Sequence, residues 1–337
     1  MPDTRNAQAL PVLYLYNVDP AWGEQDAQAA IANNLRMASA LQEAGHHVVA
    51  EALTDGDLSA VLARHSPRER VVFNQCECIP GVPFSEHVAV QIIEAFGFAY
   101  TGASPEALLL TGDKAATKRI LDSHNIPTPT WNVYTEPDAG DWKIFPAIVK
   151  AAREHCSLSL SPASVVLNRP ELEKRIAFIL DNHSQPALVE DFIDGREFHV
   201  PVWGNGSLEV LPVIEMDFSA CQDVHDRLCT YDAKFTPDSR DYNIIQSLIP
   251  APLRPDELRT LERVCRDAYR ALGCRDYARL DVRERNGDFY VLDVNPNADL
   301  DSEASIACAA DYSGITYPEL MHRLVRFAAK RHPLHFE

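Results

Sequence analysis

A chain of 337 residues is long enough for two or three domains, each with its own apolar core. With 49 acidic against 31 basic side chains, its formal net charge of −18 opposes nucleic acid or an anionic membrane as partner, and no apolar run reaches the length of a membrane span. The opening MPDTRNAQAL has an early Asp and no apolar stretch, unlike a secretory signal, and eight scattered cysteines without a CxxC pair read as buried thiols of a reduced, cytoplasmic protein.

Pro11 to Val18 (PVLYLYNV) reads as a buried strand. Gln25 to Ala44 has helical periodicity and stops at Gly45, a residue suited to a left-handed cap. His46 to Ala50 is a second strand, Leu58 to Arg64 a short helix and Arg70 to Asn74 a third strand. Phe84 to Phe96 is a further helix, stopped by Gly97. Strands alternating with helices imply a parallel sheet covered by helices. No GxGxxG follows the first strand, which removes a standard dinucleotide site. Residues 1–103 are therefore read as an N-terminal parallel α/β domain.

Ser104-Pro105-Glu106 starts a helix, with Ser as N-cap and Pro at the first position. Asp113 to His124 is a second helix carrying Lys114 and Lys118 one turn apart. Pro127 and Pro129 hold the following connector extended. Ile144 to Ala151 is a strand bearing Lys150 near its end, before the serine-rich Arg153 to Ser161. Glu171 to Asp181 is a helix and Pro186 to Ile193 a strand. Residues 104–190 make a central unit and 191–337 a C-terminal one. The latter holds a hairpin of Arg196–Trp203 and Leu208–Met216 around Gly204-Asn205-Gly206. A long aperiodic stretch from Ser219 to Pro252 then contains Lys234 and Phe235, and loops of that length are ordinarily functional. An amphipathic helix (Asp256 to Gly273) and two terminal helices (Ser302 to Ala310, Tyr317 to Lys330) complete the unit.

Residues 277–297, YARLDVRERNGDFYVLDVNPN, carry the strongest chemistry. Asn286-Gly287 between two runs of β-formers marks a tight hairpin. Alternation puts Arg279, Asp281 and Arg283 on one face of the first strand, and Asp293 with Asn295 on one face of the second. Folding the hairpin brings Asp281 near Asp293 and Asn295. Carboxylates held so close need a cation or a shared proton, and hard oxygen donors on rigid strands suit Mg²⁺. The bland alternative is a solvated face on which Asp and Arg pair across strands.

Taken in order, FGFAYTGASPEALLLTGDKAATKRIL, FPAIVKAAREHCSLS, LVEDFIDGREF, YDAKF and the hairpin resemble the ATP-grasp carboxylate–amine ligases, and among them the D-alanine–D-alanine ligases. The resemblance covers nearly the whole chain. It implies an α/β chain, α+β in its C-terminal part: an ATP-grasp fold behind an N-terminal Rossmann-like domain, with ATP between two antiparallel sheets. It implies ATP and Mg²⁺ (or Mn²⁺) as cofactors, a small carboxylate and an amine as substrates, and a homodimer. Lys114 and Lys150 match the phosphate lysines. Glu190, Asp191, Phe192 and Ile193 match the adenine linker, Glu197 the ribose carboxylate, and Leu292 a residue beside the nucleotide. Asp281, Asp293 and Asn295 match the metal ligands. Arg279, the loop lysine Lys234 and Ser157 match catalytic positions. The implied reaction forms an amide through an acyl phosphate; the alternatives are a D-alanine–D-alanine (or D-alanine–D-lactate) ligase of cell-wall precursor synthesis and, from another class, an ATP-grasp kinase.

Departures from the family pattern bear on the acceptor. Asp293 stands where Glu is usual, His155 and Cys156 replace Gly and Ser, and Phe235 replaces a Tyr. Cys156 and Phe235 cannot make the hydrogen-bonded chain that the family places over its acceptor. The Gly-containing loop after the metal Asn is replaced by one bearing Asp299, Asp301, Ser302 and Glu303. Acidic groups there repel an acceptor carboxylate, so the expected acceptor is not simple D-alanine but an amine with cationic character or a remote carboxylate. Alternatively, Asp301 or Ser302 caps a helix, with Glu303 in its first turn.

Overall fold

Three sheets carry the chain in a computed structural model that describes residues 9–153, 160–230 and 239–334, without the side chains of Asp241 and Tyr242. The first sheet is parallel, with β1 (Pro11–Asn17) between β2 (His47–Leu53) and β3 (Val71–Gln75). Helices α1 (Glu24–Glu43), α2 (Leu58–Leu62) and α3 (Glu86–Ala95) alternate with its strands. The apolar run of β1 is buried on both sides, as a covered parallel sheet requires. Leu13 and Leu15 join a core with Leu58, Leu62, Val90 and Ile93. Val12 and Tyr14, on the other face, pack with Met37 and Leu41 and with Leu320 and Leu324 from far along the chain.

Helices α4 (Pro105–Thr111) and α5 (Lys114–Ser123) lead into the second sheet. Asp113 caps α5 through Ala116 N at 2.9 Å, which fixes where Lys114 and Lys118 project. The second sheet is antiparallel: β4 (Trp131–Tyr134), β7 (Ala187–Asp191), β5 (Ala147–Ala151) and β6 (Val165–Val166) lie in that order. Strand β5 starts later than its apolar pattern because Pro146 offers no amide proton to the ladder. Leu172, Ile176 and Ile179 of α6 (Arg169–His183) pack on Val149 and Val189.

The third sheet runs β11 (Gln246–Leu248), β10 (Ile214–Asp217), β8 (Glu197–Trp203), β12 (Tyr277–Arg285) and β13 (Asp288–Asn295), with β9 (Glu209–Val210) on β8. The segment expected to be one strand, Leu208 to Met216, is two, because Pro212 interrupts it. Within the stretch expected to be a loop, the described residues form α7 (Arg240–Ile244) and β11; Lys234 and Phe235 lie outside the described residues, as does Ser157. Leu261, Cys265 and Ala268 of α8 (Pro255–Ala271) cover the face made by Val200, Val202, Leu280 and Val282.

Helix α9 (Ser305–Tyr312) starts later than expected, and its N-cap is Ala304, without a side-chain cap. Asp301 and Ser302 therefore do not cap it; Asp301 Oδ1 instead accepts from Glu303 N at 3.0 Å within the loop. The last helix, α10 (Tyr317–Ala329), lies against the first sheet. Beyond it Arg331 donates to both oxygens of the fully buried Asp276 at 2.7 Å each and to Tyr100 O at 2.6 Å. Asp276 also accepts from Gly102 N and Asn205 Nδ2, so one carboxylate ties together the first unit, the β8–β9 turn and the C-terminal segment.

Candidate active site

Hairpin β12–β13 sets the site's register. Asn286 and Gly287 take φ of 58° and 90°, the pair of left-handed residues that a tight hairpin needs. Asp281 then lies directly opposite Asp293, and Arg279 opposite Asn295. Arg279 donates to both oxygens of Asp281, at 2.7 and 3.1 Å, which fixes guanidinium and carboxylate as one planar unit. Asn295 Nδ2 donates to Asp281 Oδ2 at 3.3 Å, so its amide oxygen is left to accept elsewhere. Asp293 Oδ2 lies 4.0 Å from Lys114 Nζ. The hairpin face thus gathers Arg279, Asp281, Asp293 and Asn295, and the end of α5 supplies Lys114.

An irregularity in the ladder follows immediately. Asp281 pairs with Asp293 but Val282 pairs with Val291, so Leu292 is an extra residue in β13. The carbonyls of Val291 and Leu292 receive Lys118 Nζ at 3.1 and 3.0 Å, and Thr128 Oγ1 receives it at 2.7 Å. Lys118 also lies 2.6 Å from Glu190 Oε1, while Lys150 Nζ is 2.7 Å from Glu190 Oε2. Burial alone raises a carboxyl, but the two ammonium groups outweigh it and hold Glu190 down at about 2. The Glu190 side chain is therefore engaged by lysines, so a linker role for this residue rests on its backbone.

A pocket between the second and third sheets is bounded by Lys150, Asp191, Phe192, Ile193, Glu197 and Leu292, among others. Arg283 orders its far wall. Its Nε donates to Glu197 Oε2 at 2.7 Å, another N–H donates to Ile193 O at 3.0 Å, and a third meets Arg227 O. Its guanidinium carbon lies 4.6 Å from the centre of the Phe192 ring. Burial would raise Glu197, but Arg283 holds it well below the carboxylate range. Asp191 pairs with Arg285 at 2.6 Å.

The acidic loop after Asn295 divides in two. Asp299 is exposed, and its Oδ1 accepts from Asp301 N at 2.8 Å. Asp301 lies 3.5 Å from Arg36 of α1, and Ser302 Oγ stands 3.5 Å from Asp301 Oδ1. Sequence reasoning assigned no role to Lys118, Arg283 or His199. Arg283 had a signal, since it shares a strand face with Arg279 and Asp281; His199 shares the corresponding face of β8, opposite Asp281 in register.

Comparison with known proteins fits this geometry. The family model described as the D-ala D-ala ligase C-terminus matches residues 126–326. An uncharacterised protein of Sinorhizobium fredii is 32% identical over 87% of this chain and 86% of its own length. A D-alanine–D-alanine ligase of a Marinomonas strain is 34% identical over 70% of this chain and 71% of its own. The crystal structure of the Bacillus anthracis D-alanine–D-alanine ligase complexed with ATP superposes with a TM-score of 0.73 over 96% of this chain and 98% of its own, at 18% identity, a likeness of fold. Among the described residues no helix is long and apolar enough to cross a membrane. The matched family segment spans the sheets and hairpin that build the pocket, and with it the chain belongs to the D-alanine–D-alanine ligase family of the ATP-grasp fold and is an ATP-dependent carbon–nitrogen ligase.

Proposed function

We propose that the chain activates a small carboxylate with ATP and joins it to an amine, with D-alanyl–D-alanine formation as the reading its named relatives favour. The observation that carries the proposal is the opposed pair Asp281 and Asp293, flanked by Asn295 and Arg279, at the mouth of the pocket that Glu197 and Lys150 line. These donors are hard oxygens on neighbouring strands, a set that fits Mg²⁺ or Mn²⁺. Such an ion, when bound, offsets phosphate charge during transfer.

The chain's own groups do the rest. A carboxylate acylates poorly because its leaving group would be oxide, so its phosphorylation to an acyl phosphate creates a leaving group. Lys118 and Lys150 share the single carboxylate of Glu190, so the three groups keep one net positive charge that Lys150 can offer to a phosphate. Arg279, locked by Asp281, presents its remaining N–H to the oxyanion that forms when the amine attacks. Because the guanidinium is already oriented, little reorganisation is needed at that moment.

A second reading concerns the acceptor. Asp299 is exposed on the loop that follows Asn295, and negative charge there favours an amine that carries additional positive charge. The Sinorhizobium fredii relative, matched over 87% of this chain, is described as uncharacterised, and the Marinomonas D-alanine–D-alanine ligase is matched over 70%. One assay separates the readings: phosphate release from ATP with D-alanine alone, and with a panel of amines each offered together with a panel of small carboxylates. Release that requires D-alanine and yields the dipeptide establishes the first reading. Release only with cationic amines establishes the second, and release that needs no amine removes both.

A further inference from the structure

Beside the pocket Glu197 meets two donors, His199 and Cys229, whose chemistry the ligase reading leaves unused. His199 of β8 is buried, and its Nδ1 meets Ser305 Oγ at 3.2 Å. That contact orients the ring so that Nε2 lies 3.8 Å from Glu197 Oε1 and 3.9 Å from Asp281 Oδ1, with no hydrogen-bond partner among the described residues. Buried Cys229 completes the set, since one donor atom each from Glu197, His199 and Cys229 lie within 4.8 Å of one another. Glu197 has an oxygen to give, because Arg283 takes only Oε2.

A buried imidazole lone pair facing two carboxylates is unfavourable unless a proton or a metal cation lies between them, and the neighbouring thiol adds a donor that a proton does not need. Hard ions do not select sulfur or imidazole. A thiolate, an imidazole and a carboxylate on one centre are the donor set of a borderline-soft ion, above all Zn²⁺. Tetrahedral placement at ordinary zinc bond lengths puts neighbouring donors about 3.3–3.8 Å apart. The trio needs to close by about an ångström to reach it, within the range of small side-chain rotations. Ser305 stands where the outer partner of a metal-bound histidine is usually found, fixing the ring through its other nitrogen.

We propose that Glu197, His199 and Cys229 form a site for Zn²⁺ or an ion of like softness, distinct from the oxygen donors Asp281, Asp293 and Asn295. Three protein donors leave a fourth position open toward the pocket. Where Glu197 also serves a ribose, which rests on the functional reading above, the ion and the nucleotide compete for one carboxylate. Zinc then acts as a brake on the ligase.

The test uses Co²⁺ as a spectroscopic probe on the metal-free full-length chain. One equivalent is expected to bind with thiolate-to-cobalt charge-transfer absorption and the strong visible bands of a four-coordinate ion, and Zn²⁺ is expected to bleach both. Cys229→Ala should abolish the charge-transfer band, and His199→Gln should weaken Zn²⁺ binding about tenfold or more. Cys221→Ala, which removes a different buried thiol, should keep the band. Circular dichroism melts show whether each variant is folded. A folded wild-type chain without the band, or a band that survives Cys229→Ala, overturns the site. Displacement of Co²⁺ by ATP is read separately: if the ion stays, the zinc site stands and Glu197 loses its ribose role.

Discussion

Lys118 Nζ and Glu190 Oε1 lie 2.6 Å apart, each side chain 1% exposed, and the lysine is held in place by the carbonyls of Val291 and Leu292 at the β13 irregularity. Removing one member of a buried pair leaves the other charged and poorly solvated. Lys118→Met should therefore destabilise the fold by about 3 kcal/mol, the low end for such a loss, because Lys150 still reaches Glu190. Urea unfolding measures this. The double variant Lys118→Met/Glu190→Gln should recover part of the loss, since it removes both buried charges.

Acid titration isolates the same carboxylate. Glu190 is held at about 2, below the 4.5 of an unperturbed glutamate. A depressed folded value means that its ionisation stabilises the protein above the unfolded pKa and that this contribution disappears as pH falls through the folded one. Between pH 4.5 and 2, wild-type stability should fall more steeply than that of Glu190→Gln. Parallel slopes for the two proteins would contradict the assigned charge.

Asp281→Asn keeps the shape of the side chain and removes its negative charge. Loss of one metal ligand costs several kcal/mol of transition-state stabilisation, so ATP turnover should drop about 100-fold or more. Because the change also takes the charge partner from Arg279, a circular dichroism melt accompanies the assay to show that the variant is folded. Turnover of Asp281→Asn at the wild-type rate would remove the proposed metal role.

Arg283→Lys tests whether the pocket wall needs a planar fork. An ammonium cannot bond Glu197, Ile193 O and Arg227 O together while lying over the Phe192 ring. The KM for ATP should rise about tenfold, equivalent to one lost charged hydrogen bond of roughly 1.4 kcal/mol, with kcat changed less. Steady-state kinetics distinguish the two parameters.

Asp276 and Arg331 should be strongly coupled. Either alanine substitution leaves the partner charge buried or unpaired, at a cost of about 3 kcal/mol. The double variant should cost much less than the sum, with an interaction energy of about 1–3 kcal/mol in a thermodynamic cycle. Additive losses would mean that the pair is incidental.

Much of the site is legible in the sequence because its key signals are local. Asn286-Gly287 supplies two adjacent positive φ values, and period-2 alternation then brings Asp281 opposite Asp293. The extra residue Leu292 is not legible, since nothing in VLDVN distinguishes a bulge from a regular ladder. Lys118 is missed for that reason. A lysine on a helix reads as solvated, and what buries it is a pair of carbonyls 173 and 174 residues further on. Ser302 misleads in the opposite sense: its N-cap chemistry is sound, but the acidic loop continues past it and α9 starts at Ser305. His199 lies in an apolar run, EFHVPVW, where a lone histidine reads as core, and only the third dimension sets it beside Glu197 and Cys229.

The burial of Val12 and Tyr14 under Leu320 and Leu324 has a consequence for how the polypeptide is made. During translation the first strand emerges about 300 residues before the helix that completes one of its faces. Until then that face has only part of its cover, from α1 and from later residues such as Leu300 and Ile306. A message cut short before Tyr317 would release a nascent product with an uncovered β-surface, so proteolytic clearance of such fragments is the outcome to expect in the cell.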